Sequence, residues 1–218
     1  MPSKNVIKLY EAGAYYHIYN RGVDKGLIFC EDKDYKTFLS YLKFYLTLQG
    51  ESSQVSPSKK LKNYFGEIDL LCYCLMPNHF HLLIHQNSEH GIDHFMRSLL
   101  TKYVRYFNTH YHRLGPLFQG PYKAVRIENE YQFIYISKYI HRNPLSLSAY
   151  EESPRRLREY TYSSYGNYLQ NFTQAWVQPG AILSYFSRTY PQSSYESFIE
   201  QSLPDDVKSI LNEALDLE

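Results

Sequence analysis

The chain has 218 residues, of which 44% are hydrophobic and 21% charged, enough to bury one domain's core and too apolar for a disordered chain. Three cysteines form no disulfide framework, no apolar run approaches the roughly 18 residues of a membrane span, and the N-terminus lacks an apolar signal region; the expectation is a reduced, cytoplasmic protein with no membrane partner. The net charge of +1 hides a segregation, with eight Lys/Arg against two acids over Phe95–Leu145 and seven acids against Lys208 over Tyr190–Glu218.

Taken in order, Tyr15–Asn20 (YYHIYN) alternates and is rich in aromatics, which predicts a strand closed by Arg21-Gly22. Asp34 is placed to cap a helix from Tyr35 to about Leu48, with Phe38, Leu39, Leu42, Tyr45 and Leu46 on one face. The stretch Gly50–Lys60 reads as a polar loop, and Tyr64–Met76 as a second strand in which Cys72 and Cys74 are small buried residues.

The next strand is MPNHFHLLIH, Met76 to His85, running on to about Gln86. Successive strand side chains point to opposite faces, so Phe80, Leu82 and Ile84 share one side and His79, His81, Leu83 and His85 the other. Two imidazoles side by side on a rigid strand suit a metal ion; they are equally what the wet face of a half-buried strand carries. A helix over His94–Tyr111, stopped by Gly115-Pro116, and a fourth strand over Tyr122–Ile127 come next. A helix over Glu130–Arg142 then ends before Asn143-Pro144, because a residue preceding proline avoids the helical region.

The order strand, helix, strand, strand, helix, strand is the split βαβ pattern of a ferredoxin-like (RRM-like) α+β fold: a four-stranded antiparallel sheet with helices on one face, here followed by an extra helix and a C-terminal extension. The expected division is a catalytic domain over residues 1–150 and an extension with the acidic tail over 151–218.

Tyr139 and Asn143 are four apart and share a helix face, so a phenol and an amide oxygen could approach the His79/His81 pair. A packed helix tyrosine and an ordinary C-terminal cap would leave the same spacing. MPNHFHLL and YIHRNP, in this order and separated by a basic helix and GPLFQGPYKAVRI, resemble the HUH single-tyrosine transposases of insertion sequences. The resemblance runs from about Tyr15 to Tyr168, and YTYSSYGNY together with Asn-Pro where mobile enzymes usually carry Gln points to the REP-associated tyrosine transposases. It implies that His79 and His81, flanking the hydrophobic Phe80, hold a divalent metal ion with Asn143 as third ligand, and that Tyr139 is the nucleophile. The expected cofactor is Mg2+ or Mn2+; imidazole ligands favour manganese over magnesium.

The implied activity is that of a metal-dependent single-stranded DNA endonuclease and strand transferase, passing through a 5′-phosphotyrosine and recognising hairpin or palindromic DNA. Its partner is single-stranded or hairpin DNA, it needs no nucleotide cofactor, and monomer and homodimer are both open. Arg21, Lys102, Arg105, Lys123, Arg126 and Arg142 are the candidate DNA-binding residues, as cations able to meet phosphates. His17 is a candidate contact from the neighbouring strand, while His141 is expected to face away from Tyr139. The acidic tail is expected to weaken DNA binding by lowering the potential of the basic stretch. The rival readings are a noncatalytic RRM-like module that binds single-stranded nucleic acid, and a zinc hydrolase.

Overall fold

Strand β1 (Tyr15–Arg21), helix α1 (Asp32–Leu46), strands β2 (Ile68–Met76) and β3 (His79–Gln86), helix α2 (Gly91–His110), strand β4 (Lys123–Arg126) and helix α3 (Glu130–Arg142) follow one another along the chain. The structure is a computed structural model and describes residues 10–48, 62–150 and 153–202. The expected loop at Gly50–Lys60 lies outside the described residues, and so does the acidic tail beyond residue 202.

The sheet order is β2-β3-β1-β4, with each neighbouring pair antiparallel. Together with the order of elements this is the expected ferredoxin-like α+β fold, except that helices cover both faces of the sheet and not one. Apolar alternation gives the reason for the layering. Tyr16 and Ile18 of β1 and Phe80, Leu82 and Ile84 of β3 point to one face, where Phe38 and Leu42 of α1 and Phe95, Leu99 and Tyr103 of α2 cover them.

The other face carries Cys72, Cys74, Met76 and Leu83, and it too is covered. Phe133, Ile136 and Ile140 of α3 lie on it, joined by Leu157, Tyr160, Tyr168, Tyr195 and Ile199 from later in the chain. The histidine face is therefore largely dry, with His17 and His81 buried and His79 and His85 partly exposed. An irregularity in pairing between Leu70 and Cys72 turns Leu71 and Cys72 toward this second core while Leu70 stays in the first.

Strand β2 would otherwise expose an unpaired edge. Leu75 N donates to Tyr162 O at 2.9 Å, Ser164 N to Tyr73 O at 3.0 Å and Gln178 N to Leu70 O at 2.8 Å, so the chain after residue 153 covers that edge. Tyrosine serves well here, because one side chain can both fill the core and satisfy a strand carbonyl. The Tyr160 hydroxyl donates to Leu75 O at 2.6 Å and that of Tyr168 to Leu71 O at 2.9 Å, while both rings are buried in the second core.

Three boundaries differ from the sequence expectation. Helix α1 starts earlier, with Glu31 rather than Asp34 as its cap; Asp34 is the third residue of a capping box. Its buried carboxylate accepts from Cys30 N and from the Tyr106 and Tyr111 hydroxyls, contacts that only the folded chain supplies. Strand β2 starts at Ile68, because Gly66, at φ +80°, turns the chain just before it. Helix α2 starts at Gly91, where a Cβ would stand 3.0 Å from Ile68 Cδ1 and 3.0 Å from Ser88 Oγ. Among the described residues no helix is long and apolar enough to cross a membrane.

Candidate functional site

The turn between β2 and β3 is fixed by its own backbone. Pro77 O accepts from Ile28 N at 2.8 Å and from Phe29 N at 3.0 Å, and Asn78 O accepts from Gly22 N at 2.8 Å. His79 therefore enters β3 in a set register, opposite Arg21, with His81 opposite Tyr19. The His79 and His81 rings lie 5.0 Å apart at 82° on the face that α3 crosses.

Helix α3 starts where Asn129 Oδ1 accepts from Gln132 N at 2.8 Å, and it buries Ile136 and Ile140 in the second core. That anchoring turns Tyr139 and Asn143 toward β3. The Tyr139 ring centroid is 5.3 Å from that of His81, nearly perpendicular, and 6.3 Å from that of His17. Asn143 Oδ1 lies 2.9 Å from His79 Nε2. The four residues that spacing and resemblance single out are thus brought together from β3 and one end of α3.

Proton bookkeeping gives this cluster its character. Asn78 Nδ2 donates to Lys25 O at 3.1 Å, which leaves Asn78 Oδ1 facing His79 Nδ1 at 2.7 Å. An amide oxygen only accepts, so Nδ1 carries the proton. Burial, and then the charge of Arg21, hold the His79 pKa below its ordinary value against the pull of Asn143, so the ring is neutral near pH 7. Its unprotonated Nε2 faces the Asn143 side-chain amide at 2.9 Å.

His81 is buried, and its Nδ1 is 2.9 Å from His17 Nε2. Its Nε2 is buried with no hydrogen-bond partner among the described residues. Burial first, then the nearby His79, His17 and Arg21, push its pKa well down, which keeps it neutral. Two neutral imidazole nitrogens and an amide oxygen form a donor set that fits a divalent ion, manganese better than magnesium. Among the described residues no three His, Cys, Asp or Glu side chains gather into a metal-ligating group; the Asn143 amide stands 2.9 Å from His79 Nε2 and could supply a third donor. Burial pushes the Tyr139 hydroxyl up to about 12, despite the opposing pull of the Asn143 side chain and of Arg21.

The six candidate phosphate contacts divide. Arg21 ends β1 beside the histidines, where its charge acts on His79, His81 and Tyr139. Lys123 of β4 lies 5.6 Å from the Tyr19 ring, which stacks on His81 at 5.9 Å. Arg126, farther along β4, pairs with Glu11. Lys102 and Arg105 are on α2, across the sheet from the histidines, with the Lys102 ammonium over Tyr41 and Phe44. Arg142 is half-buried and donates to Ile199 O, bracing α3 against the later chain.

Among the other histidines, His17 makes the expected contact from the neighbouring strand. His141 faces away from Tyr139, buried between the Tyr195 hydroxyl at 2.7 Å and Ser164 Oγ at 2.8 Å. His85 pairs with Asp69 at 3.2 Å, away from the cluster. Sequence reading missed Asn78 and Tyr19 as partners of the histidines. Asn78 directly precedes His79, and Tyr19 shares its strand face with His17, so both signals were present in the spacing.

Residues 56–143 match a known family, described as Transposase IS200 like. The structure is similar to that of a REP-associated tyrosine transposase bound to a REP hairpin, with a TM-score of 0.54 and 11% identity over 83% of this chain and 93% of that one. At that identity the likeness concerns the fold. A transposase candidate from Deinococcus radiodurans R1 is a looser match, with a TM-score of 0.37 and 16% identity over 65% of this chain and 97% of that one. No curated protein is significantly similar to the chain.

Proposed function

We propose, from the match of residues 56–143 to the IS200-like transposases, that the chain cuts and rejoins single-stranded DNA with Tyr139 as nucleophile beside a divalent ion held by His79, His81 and Asn143. The observation that carries this reading is the convergence of His79 Nε2 and the Asn143 side-chain amide, 2.9 Å apart, next to the buried and unpartnered Nε2 of His81. A divalent ion held by His79, His81 and Asn143, Mg2+ or Mn2+, would polarise the scissile phosphate and offset the charge that develops on it.

The chain's own residues supply the rest. Tyr139, with its pKa pushed up to about 12, is neutral near pH 7 and needs a polarised phosphate in reach. Its oxygen bonds to phosphorus as the bond to the 3′ oxygen breaks; the phenol proton is lost and the released 3′ oxygen gains one. The product is a phosphotyrosine on the 5′ end, and attack by a 3′ hydroxyl reverses it. Bond energy is conserved in that link, so no nucleotide cofactor is required. Arg21 and Lys123 flank the cluster and meet the phosphates on either side. Arg126, Lys102 and Arg105 lie farther out and act on DNA that extends beyond the cut.

The substrate in this reading is a hairpin with single-stranded flanks; the similar REP-associated protein was solved bound to a REP hairpin. β1, β3 and α3 belong to one chain, so a monomer holds a complete site; a homodimer is not required. The setting is the cytoplasm, where DNA is reached without export. In this reading residues 1–150 are the catalytic unit and residues 151–218 an extension, of which residues 153–202 pack against it.

The test is a labelled single-stranded hairpin incubated with the protein and Mn2+. A protein–DNA adduct that survives denaturation is the expected result. Binding without any adduct, unaffected by chelation, would make the chain a noncatalytic single-strand-binding module. Affinity for the same hairpin is expected to fall roughly 10- to 100-fold between 50 and 200 mM salt, the loss that a few phosphate contacts produce through counterion release. Filter binding across that range checks it, and equal affinity for a fully paired duplex of the same sequence would rule out the hairpin as substrate.

A further inference from the structure

His17 lies at the centre of the sheet, fully buried, opposite Leu83 of β3 and Val125 of β4. It is outside the motif pair, on a strand that contributes none of the proposed ligands. Its ring stacks on Tyr19 at 4.9 Å and on His81 at 5.1 Å, and the Tyr139 ring meets it edge-on. The side chain is therefore clamped on several sides, and its Nε2 sits 2.9 Å from His81 Nδ1.

One proton lies between these two nitrogens, and its position decides what His81 can do. If His17 donates, His81 carries its own proton on Nε2, an unpartnered buried donor facing the cluster, and it has no lone pair there for an ion. If His17 accepts, the proton is on His81 Nδ1 and the Nε2 lone pair is open. Each arrangement leaves one unpartnered donor, since His17 Nδ1 and His81 Nε2 are both buried with no partner among the described residues; only the second leaves His81 able to receive an ion. Asn78 fixes the His79 proton on Nδ1, so the second arrangement would give both histidines the same tautomer.

We propose that His17 is a positioning residue that accepts from His81 Nδ1–H and so holds the His81 Nε2 lone pair toward His79, Asn143 and Tyr139. The inference rests on the proposed ion site but concerns a contact that exists without the ion. Outer-shell partners that fix an imidazole in one tautomer typically change metal affinity by about 10- to 100-fold when removed. His17→Leu keeps bulk and removes the acceptor. His17→Gln returns an amide oxygen near the position of Nε2.

The test uses the full chain with ¹⁵N-labelled histidine, free of metal, and reads each ring's tautomer from two-bond nitrogen–proton correlations. The expected result is His81 in the Nδ1–H form, and a wild-type chain with His81 in the Nε2–H form would overturn the proposal without any variant. Mn2+ affinity, measured by calorimetry, is expected to drop roughly 10- to 100-fold in His17→Leu and to recover most of that loss in His17→Gln. Unchanged affinity in a folded His17→Leu, or no recovery in His17→Gln, would also overturn it. A wild-type chain that takes up no Mn2+ would sink the ion site of the proposed function, and the tautomer reading would still decide whether His17 orients His81.

Discussion

Tyr139→Phe is expected to leave hairpin binding close to that of the wild type while the denaturation-resistant adduct disappears and strand cleavage falls on the order of 10³-fold or more, the scale on which loss of a covalent nucleophile acts. The substitution removes one oxygen and keeps the ring that packs edge-on against His81. Many of the other 23 tyrosines are committed to structure. Tyr103 donates to Ile28 O, Tyr160 to Leu75 O and Tyr168 to Leu71 O, Tyr195 bonds His141, and Tyr106 and Tyr111 hold Asp34. Tyr19 is the other phenol against the histidines, stacked on His81. Denaturing gels of the single variants separate the cases. An adduct that persists in Tyr139→Phe and vanishes in Tyr19→Phe would move the nucleophile to β1. Cleavage that persists with no adduct would make a water molecule the nucleophile and the protein a plain nuclease.

The double variant His79→Ala/His81→Ala is expected to lose Mn2+-dependent cleavage by at least about 100-fold, because even outer-shell changes at metal sites cost about 10- to 100-fold. Mn2+ uptake should be lost in parallel. The fold should persist, since Phe80, Leu82 and Ile84 on the opposite face of β3 carry that strand's share of the first core. Removal of the rings leaves space beside Tyr139 rather than a buried charge, as both imidazoles are held neutral by burial. Circular dichroism would verify the fold, and cleavage assays with and without chelator would verify the loss. Wild-type cleavage in the double variant would remove the ion from this site altogether.

The sequence by itself determined those features that arise within a few residues. Period-two alternation put His79 and His81 on one strand face, and helical spacing put Tyr139 and Asn143 on one helix face. The end of α3 at Arg142 was legible from Asn143-Pro144, although Asn143 keeps a helical backbone (φ −50°, ψ −39°) and the chain passes into a 3-10 turn over Asn143–Ser146 instead of being driven extended; the order of elements pointed to the sheet topology. Tertiary structure alone decided what those faces meet. The pairing of β1 with β3 brings His17 onto His81 across 64 positions, and a buried contact of that range depends on the packing of the whole sheet. The dryness of the histidine face was hidden for the same reason: its cover comes from α3 and from scattered residues between Leu157 and Ile199, which show no shared local period. Charge counting over Phe95–Leu145 could not tell that Arg21 and Lys123 flank the histidines while Lys102 and Arg105 lie across the sheet and Arg142 is bound to Ile199. A sum of charges carries no direction; only the packing of helices on a two-faced sheet assigns each cation a side.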